Sequence, residues 1–296
     1  MENRPQIHPH GGFDAAIDAA QLDTDYDARA TVSQGAFDDI IARYLSCSQA
    51  AASEHMRRAN VVYDPCGEGF DLLGPADGNA PAVIFIHGGY WRALSRRHSH
   101  FPAPMLARHG IATITPDYTL APRATLAEIN RQMRAMLAHV WQEAPALGLD
   151  RQRIHVVGSS AGGHPAAALA AGGWQAEFDL PDRPLAGVMP ISGLFDLAPI
   201  RRAPPQSWLN LSPEDEAALS PLRHLPRDPA PMFVARAQTE APGFIRQSDA
   251  FAQAWGDSGA RTRRLCIPGR NHFDVILDLC DDNTALSRAL LDLIAV

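Results

Sequence analysis

The chain has 296 residues, of which 46% are hydrophobic and 20% charged, and its formal net charge is −7. This balance is typical of an ordinary globular protein, and without a basic stripe we expect no nucleic-acid partner. No apolar run in the sequence approaches the roughly 20 residues of a membrane span, so we also expect no membrane partner.

The four cysteines, Cys47, Cys66, Cys266 and Cys280, are widely separated in the sequence. A low, scattered count favours a reducing compartment over a disulfide framework. The first residues are polar and show no apolar signal-peptide region, so the sequence predicts a cytoplasmic protein.

The first predicted element is a helix. Apolar residues recur at helical spacing between residues 37 and 56, and residues 1–58 contain no clear strand, so we interpret them as an N-terminal helical or cap segment. Strands and helices then alternate through residues 59–296. Two short strands, 60–63 and 70–73, flank a Pro/Gly turn and are expected as a pair at a sheet edge.

Further along the chain, continuous apolar runs predict strands buried on both faces. These strands are predicted at residues 82–86, 111–115, 153–157, 185–190, 232–235 and 264–267. Helices are predicted at residues 105–108, 126–143, 163–171, 243–256 and 274–294. The alternation predicts an α/β fold with a mostly parallel sheet, helices on both faces and ligands beyond the carboxyl ends of the strands. Proline-rich residues 197–225 are interpreted as an insertion over the sheet, part of a lid within a single domain.

The strongest motif is Gly158-Ser159-Ser160-Ala161-Gly162, which follows an apolar strand and precedes a helix. In a G-x-S-x-G turn the glycines remove side chains that would collide, and the turn lifts the serine hydroxyl above the sheet. Only Ser160 has glycines two residues away on both sides. The motif predicts Ser160 as a nucleophile, and a plain Gly/Ser-rich turn is the weaker interpretation.

A second motif, beginning His87-Gly88-Gly89, follows the strand that ends at residue 86. Glycine backbones in such a loop approach the substrate closely and can donate N–H groups to an oxyanion. We predict an oxyanion hole formed by Gly88, Gly89 and the amide of Ala161. Taken alone, the loop is equally well explained as an ordinary turn between a strand and a helix.

The general base and the acid must follow the nucleophile in the order serine, acid, histidine. His272 lies after the last predicted strand and is the histidine in that position, so it is predicted to take the Ser160 proton. Glu240 and Asp249 are the acid candidates. Glu240 lies in a loop after the penultimate strand, whereas Asp249 falls in a helical pattern, so Glu240 is preferred.

Two histidine pairs with H-x-H spacing, His8 with His10 and His98 with His100, raise the question of a metal site. Neither pair has an evident carboxylate or cysteine companion, so surface or cap histidines are the favoured interpretation. The sequence predicts no metal and no cofactor.

Three aromatic residues flank the motifs: Tyr90, Trp91 and Phe273. They are predicted to line an apolar or aromatic substrate pocket. Packing in the core or the lid is the alternative for each of them.

Several segments together resemble the arylformamidase (kynurenine formamidase) branch of the α/β-hydrolases, which borders the hormone-sensitive-lipase-like esterases. They are DYDARATV, HGGYWR, GSSAGGH, ISGLFDLAPI, LSPL, EAPGFIRQS and NHFDVI. The resemblance runs from about Tyr26 to the C-terminus. It implies the α/β-hydrolase fold, no cofactor, and a triad of Ser160, Glu240 and His272, because the family's acid stands four residues before a phenylalanine.

The chain departs from the family pattern near the nucleophile. Ser159 replaces a histidine that the family usually carries, and Pro165 replaces a leucine. Both positions border the nucleophile turn, so the departures concern the shape of the pocket and not the triad.

By this resemblance the expected reaction is hydrolysis of an N-formyl arylamine, such as N-formyl-kynurenine, through an acyl-enzyme. A carboxylesterase acting on small or aromatic esters is the alternative, because the same residues serve both reactions. A non-catalytic binding protein on this fold would be expected to lack one of these residues. The expected partners are a small-molecule substrate and, for the assembly, a second copy of the chain in a homodimer.

Overall fold

The computed structural model describes residues 13–75 and 77–295, and within them one eight-stranded sheet has the order β1-β2-β4-β3-β5-β6-β7-β8. The strands are β1 (Met56–Val62), β2 (Gly69–Leu73), β3 (Ala80–Ile86), β4 (Ala112–Pro116), β5 (Leu149–Ser159), β6 (Gly187–Ile191), β7 (Met232–Thr239) and β8 (Thr262–Asn271). β2 pairs antiparallel with β1 and β4, and β3 to β8 run parallel. The predicted mostly parallel α/β architecture is confirmed.

Helices cover both faces of the sheet. The α-helices are α1 (Ala19–Asp25), α2 (Gln34–His55), α3 (Ala103–Arg108), α4 (Leu126–Leu147), α5 (Gly163–Ala170), α6 (Gln206–Leu209), α7 (Pro213–Leu219), α8 (Pro242–Asp257) and α9 (Ala285–Ile294). Short 3₁₀ helices lie at Ala28–Thr31, Arg96–His98, Ser160–Gly162, Gln175–Phe178, Ile200–Arg202, Pro221–Arg223 and Asp274–Cys280.

The apolar core lies in two layers, one on each face of the sheet. Every residue of β3 is buried. Ile84 and Ile86 pack into one layer, whereas Val83 and Phe85 pack into the other, because successive side chains of a strand point to opposite faces. A strand buried on both faces therefore needs a continuous apolar run, which is the pattern that the sequence shows.

The two strands predicted at residues 60–63 and 70–73 do pair with each other, but only one of them lies at the edge of the sheet. β1 is the edge strand, but β2 lies inside the sheet because it also pairs with β4. β1 begins at Met56, so the predicted segment 1–58 ends inside a strand. The division of the chain at residue 58 stays a prediction.

The predicted single helix over residues 274–294 is wrong. Asp274–Cys280 forms a 3₁₀ helix, and α9 starts only after Thr284, whose hydroxyl accepts a hydrogen bond of 3.1 Å from the Ser287 amide. The intervening residues are Asp281, Asp282 and Asn283, and short polar side chains favour turns and helix caps over helix interiors.

Residues 197–225 form short helices and turns above the carboxyl ends of the strands. Trp208 Nε1 donates to the Tyr90 carbonyl at 3.0 Å, and His164 Nε2 lies 2.8 Å from the Leu219 carbonyl. The segment is therefore tied to the loop after β3 and to the helix after β5. A lid movement of this segment stays a prediction.

Candidate active site

Ser160 lies in the turn after β5, and close packing around the turn holds its backbone in a strained conformation. Its φ is +54°, in the left-handed region that non-glycine residues avoid at a cost of about 1–2 kcal/mol. A Cβ at Gly158 would meet the Gly162 carbonyl, and one at Gly162 would meet the carbonyls of Ile86 and His87. The glycines of the motif are thus required by backbone packing, and they leave the Ser160 side chain partly exposed.

His272 reaches this serine from the loop that follows β8. Its Nε2 lies 2.9 Å from Ser160 Oγ, a hydrogen-bond distance, and the residue is 2% exposed. The loop is held by Asn271, whose side-chain oxygen accepts from the amides of Phe273 and Asp274. The ring of Phe244 packs edge-on against the imidazole, with centroids 4.5 Å apart. These contacts fix where the imidazole lies.

Glu240 lies on the other side of His272, directly after β7. Its Oε2 is 3.8 Å from His272 Nδ1, which is too long for a hydrogen bond. Neither atom has a hydrogen-bond partner among the described residues. Such contacts are often loose without substrate and tighten when it binds. The competing acid candidate, Asp249, instead pairs with Arg236 on β7 at 3.3 Å.

Ser192 is assigned no role by the sequence analysis. It follows β6 with a φ of +53°, and its hydroxyl donates a hydrogen bond to Glu240 Oε1. The Ala237 amide donates to the same oxygen at 2.8 Å. Two donors thus hold one carboxylate oxygen, and the other oxygen faces His272. The sequence feature that could have pointed to Ser192 is the segment ISGLFD, in which this serine follows a predicted strand.

The loop after β3 brings Gly88 and Gly89 beside the turn that carries Ser160. A Cβ on Gly88 would lie 2.9 Å from the Ser159 carbonyl and 3.2 Å from Ser160 Cβ, so the backbones are in close contact. Gly89 has a φ of +97°, and a Cβ there would meet the Ala93 carbonyl. Across residues 13–75 and 77–295, the amides of Gly88 and Gly89 donate to no protein acceptor. Ala161, buried at the start of the 3₁₀ turn, is the third predicted donor.

Buried aromatic contacts hold this loop in place. The Tyr118 ring stacks on His87 with centroids 4.4 Å apart, and its hydroxyl donates to the His87 carbonyl at 3.3 Å. Burial lowers the pKa of His87, which keeps the imidazole neutral. These contacts hold the loop that carries Gly88 and Gly89 in place beside Ser160.

The three predicted substrate-binding aromatics have different surroundings. Tyr90 and Phe273 are half-buried. Phe273 packs directly against His272 with ring centroids 5.1 Å apart, whereas Tyr90 packs at 6.1 Å against Phe244, the residue that itself contacts the imidazole. Trp91 is 0% exposed. The prediction that Trp91 contacts substrate is corrected: its indole fills the core and packs edge-on against His164, which leaves no surface for a ligand.

The N-terminal segment packs against α8 and against the loop that carries His272. Tyr44 on α2 donates a hydrogen bond to the Phe273 carbonyl, and Phe37 packs edge-on against the Phe273 ring at 5.0 Å. Asp14 and Asp25 pair with Arg246 of α8 at 2.7 and 2.6 Å. The first helices thus support the loop that carries His272.

The histidine pairs are not gathered into a cluster. In the described part of the chain, no three His, Cys, Asp or Glu side chains are arranged to hold a metal ion. His100 contacts Asp71 at 3.0 Å, and His98 contacts Ser95 at 3.2 Å. His8 and His10 lie outside the described residues. None of the described helices has both the length and the apolar character needed to cross a membrane.

Comparison with known proteins places this geometry in a family. Residues 70–254 match the family described as BD-FAE. A kynurenine formamidase of Danio rerio is 28% identical over 269 residues, which cover 87% of this chain and 90% of that protein. An esterase of Gibberella moniliformis is 27% identical over 236 residues, 73% of each chain.

A solved structure shows the same fold. The hyperthermophilic esterase of the archaeon Pyrobaculum calidifontis superposes with a TM-score of 0.72 at 19% identity, over 94% of this chain and 96% of that one. The resemblance to arylformamidases and neighbouring esterases is thus confirmed, as is the predicted α/β-hydrolase fold. The chain belongs to the BD-FAE family and is an α/β-hydrolase enzyme.

Proposed function

We propose that the chain is a serine hydrolase that works through an acyl-enzyme and acts on N-formyl arylamines such as N-formyl-kynurenine. The observation that carries the mechanism is the 2.9 Å contact between Ser160 Oγ and His272 Nε2, with the Glu240 carboxylate behind the imidazole. The similarity to kynurenine formamidase over 87% of the chain supports the substrate class.

In the first step Ser160 Oγ bonds to the substrate carbonyl carbon while His272 Nε2 takes the hydroxyl proton. The carbonyl oxygen becomes an oxyanion, which the amides of Gly88, Gly89 and Ala161 stabilise. Loss of one such donor typically costs about 3 kcal/mol. Glu240 stabilises the imidazolium and requires the closer contact that substrate binding brings.

The intermediate then collapses. The bond from the carbonyl carbon to the leaving nitrogen breaks, and His272 gives its proton to that nitrogen, which leaves as the arylamine. Water next attacks the formyl ester of Ser160 while His272 takes one of its protons. Breaking of the ester bond releases formate, and the proton returns to Ser160 Oγ.

A carboxylesterase is the second candidate. The esterase relative matches over 73% of the chain, and an ester oxygen would leave by the same proton transfer. The acyl pocket separates the two, because a small pocket favours formyl and a larger one favours longer acyl groups.

The test is a steady-state assay of N-formyl-kynurenine and p-nitrophenyl acetate side by side, with Ser160→Ala as the control. We expect a higher kcat/KM for the formamide and a loss of about 10⁶-fold in kcat in the variant. A preference for the ester, also lost in the variant, would replace the formamidase proposal with the esterase one. Activity that survives in Ser160→Ala, or failure of a fluorophosphonate probe to label Ser160, would contradict the serine mechanism.

A further inference from the structure

The loop after β3 continues past the two predicted oxyanion glycines into a turn that carries Arg92. The Arg92 amide donates to the Gly89 carbonyl at 3.0 Å, which places the Arg92 backbone directly beside that glycine. A Cβ on Gly88 would lie 3.2 Å from Ser160 Cβ, so the same loop also contacts the turn that carries Ser160. The Arg92 side chain is exposed, and the reaction described above gives it no task.

Trp208 holds the Arg92 side chain in position. The guanidinium carbon lies 4.1 Å from the centroid of the Trp208 ring. The indole is itself held, because its Nε1 donates to the Tyr90 carbonyl at 3.0 Å and its ring packs edge-on against the Tyr90 ring with centroids 6.0 Å apart. A guanidinium attracted to the face of a ring keeps its N–H groups available for other contacts, since they lie in the plane of the group.

Arg92 differs in its partners from other arginines of the same loop and of the segment 197–225. Arg96 pairs with Asp71 at 3.2 Å. Arg201 pairs with Glu216 at 2.7 Å. In the described part of the chain, no carboxylate forms an ion pair with Arg92, and no oxygen accepts a hydrogen bond from its guanidinium. Arg92 therefore presents an oriented cation whose hydrogen-bond donors face outwards.

A row of packed rings connects this cation to the predicted base. Phe244 packs against the His272 imidazole with centroids 4.5 Å apart, and Tyr90 packs against Phe244 at 6.1 Å. Tyr90 and Trp208 are half-buried, whereas Phe244 is fully buried. Arg92 thus lies at the outer end of a row whose inner end contacts His272. An aromatic leaving group that covers Tyr90 brings its far end towards Arg92.

We propose that Arg92 binds the carboxylate of an anionic substrate and so selects, among N-formyl arylamines, those that carry an acidic side chain. This inference rests on the proposed function. N-formyl-kynurenine belongs to this class, because its amino-acid carboxylate lies at the opposite end of the molecule from the formyl group. Two N–H groups of the guanidinium donate to the two carboxylate oxygens. The contact is the same in the bound substrate and in the transition state, so it lowers KM and leaves kcat unchanged.

The experiment compares two formamides that differ in the charged side chain. N-formyl-kynurenine carries it, and ortho-acetylformanilide has the same formamide and ring carbonyl without it. The variants are Arg92→Met, which keeps an apolar stem against Trp208 but loses the charge, and Arg92→Lys, which keeps the charge but loses the planar fork. Arg97→Met is the matched control, because Arg97 is an exposed arginine of the same loop and lies on the next 3₁₀ helix.

In Arg92→Met we expect KM for N-formyl-kynurenine to rise about tenfold while kcat stays within about twofold of the wild type, because a hydrogen bond between charged groups is lost. The kcat/KM for ortho-acetylformanilide should stay within about twofold, which also shows that the variant is folded. Arg92→Lys should give an intermediate KM, and Arg97→Met should match the wild type on both substrates. Added salt should raise KM for N-formyl-kynurenine in the wild type and not in Arg92→Met.

Three results would overturn the inference and leave the proposed function intact. The first is an unchanged KM for N-formyl-kynurenine in Arg92→Met. The second is an equal loss of kcat/KM on both formamides, which would show that Arg92 only supports the loop. The third is an equal rise of KM in Arg97→Met, which would show a general attraction by surface charge. A wild type that cleaves p-nitrophenyl acetate but neither formamide would instead refute the proposed function, and this inference with it.

Discussion

Ser160 and Glu240 lie on opposite sides of His272, and different kinds of contact hold the two sides. On the serine side, backbone carbonyls of β3 and the 3₁₀ turn press directly on glycines, and the Ser160–His272 distance is 2.9 Å. On the acid side, a serine hydroxyl and one amide hold Glu240, and its distance from His272 is 3.8 Å. Backbone packing permits little adjustment, whereas side-chain hydrogen bonds can shift by the ångström that the proposed mechanism requires of Glu240 and His272.

Among the variants that compare the two sides of His272, the largest effect is expected on the acid side. Glu240→Gln keeps the shape of the side chain but cannot stabilise the imidazolium, so kcat should fall about 10⁴-fold while KM stays within a few-fold. The assay is steady-state kinetics on the better of the two substrates. Asp249→Asn is the matched control, because that carboxylate pairs with Arg236 and not with His272. An equal loss in both variants would show that Glu240 has no special role.

The serine side is tested by its glycines. Gly162→Ala places a Cβ against the Ile86 and His87 carbonyls, and backbone cannot move aside as a side chain can. We expect the free energy of unfolding to fall by about 3 kcal/mol, measured by urea denaturation. Gly35→Ala on α2 is the control, since a Cβ there meets nothing within 4 Å. If both variants are equally stable, the close backbone packing at the turn does not hold.

Two buried histidines, His155 on β5 and His164 on α5, predict that the free energy of unfolding depends on pH. Burial lowers the pKa of His164, at the start of α5, to about 4 from its ordinary 6.5, and that of His155 on β5 likewise. Between these two pH values unfolding takes up protons, so stability is present above pH 6.5 and is lost as pH falls towards 4. At pH 5 each histidine should cost about 2 kcal/mol.

The measurement is the free energy of unfolding at pH 7.5 and pH 5. His164→Gln keeps a donor for the Leu219 carbonyl but does not titrate, so it should remove about half of the loss attributed to the two histidines. His109→Gln, an exposed surface position, is the control and should keep the full dependence. A pH dependence that is identical in His164→Gln and the wild type would mean that the buried imidazole does not contribute.

The smallest effect is expected from Ser192, whose hydrogen bond to Glu240 belongs to the acid side of His272. Ser192→Ala removes the hydroxyl that holds Glu240, so kcat should fall about tenfold with little change in KM, the equivalent of about 1.4 kcal/mol. Ser248→Ala removes a buried hydroxyl without a described partner and should leave activity intact. Restored activity in Ser192→Thr would support the hydroxyl as the active group.

The sequence alone predicted the mostly parallel sheet, the candidate nucleophile Ser160 and the chain order of the candidate catalytic residues. These follow from local rules: a strand buried on both faces needs a continuous apolar run, and the turn after β5 tolerates only glycine where carbonyls press on it. His272 followed from its place after the last strand. The resemblance to a family then favoured Glu240 over Asp249.

Tertiary structure decided what depends on contacts between distant segments. Trp91 looks like a pocket residue beside its motif, yet it is buried, because α5 brings His164 against its ring. The contact of Ser192 with Glu240 joins residues 48 positions apart in the sequence. Sequence patterns report which face of one element is buried. Which side chains of two elements touch is set by how those elements pack.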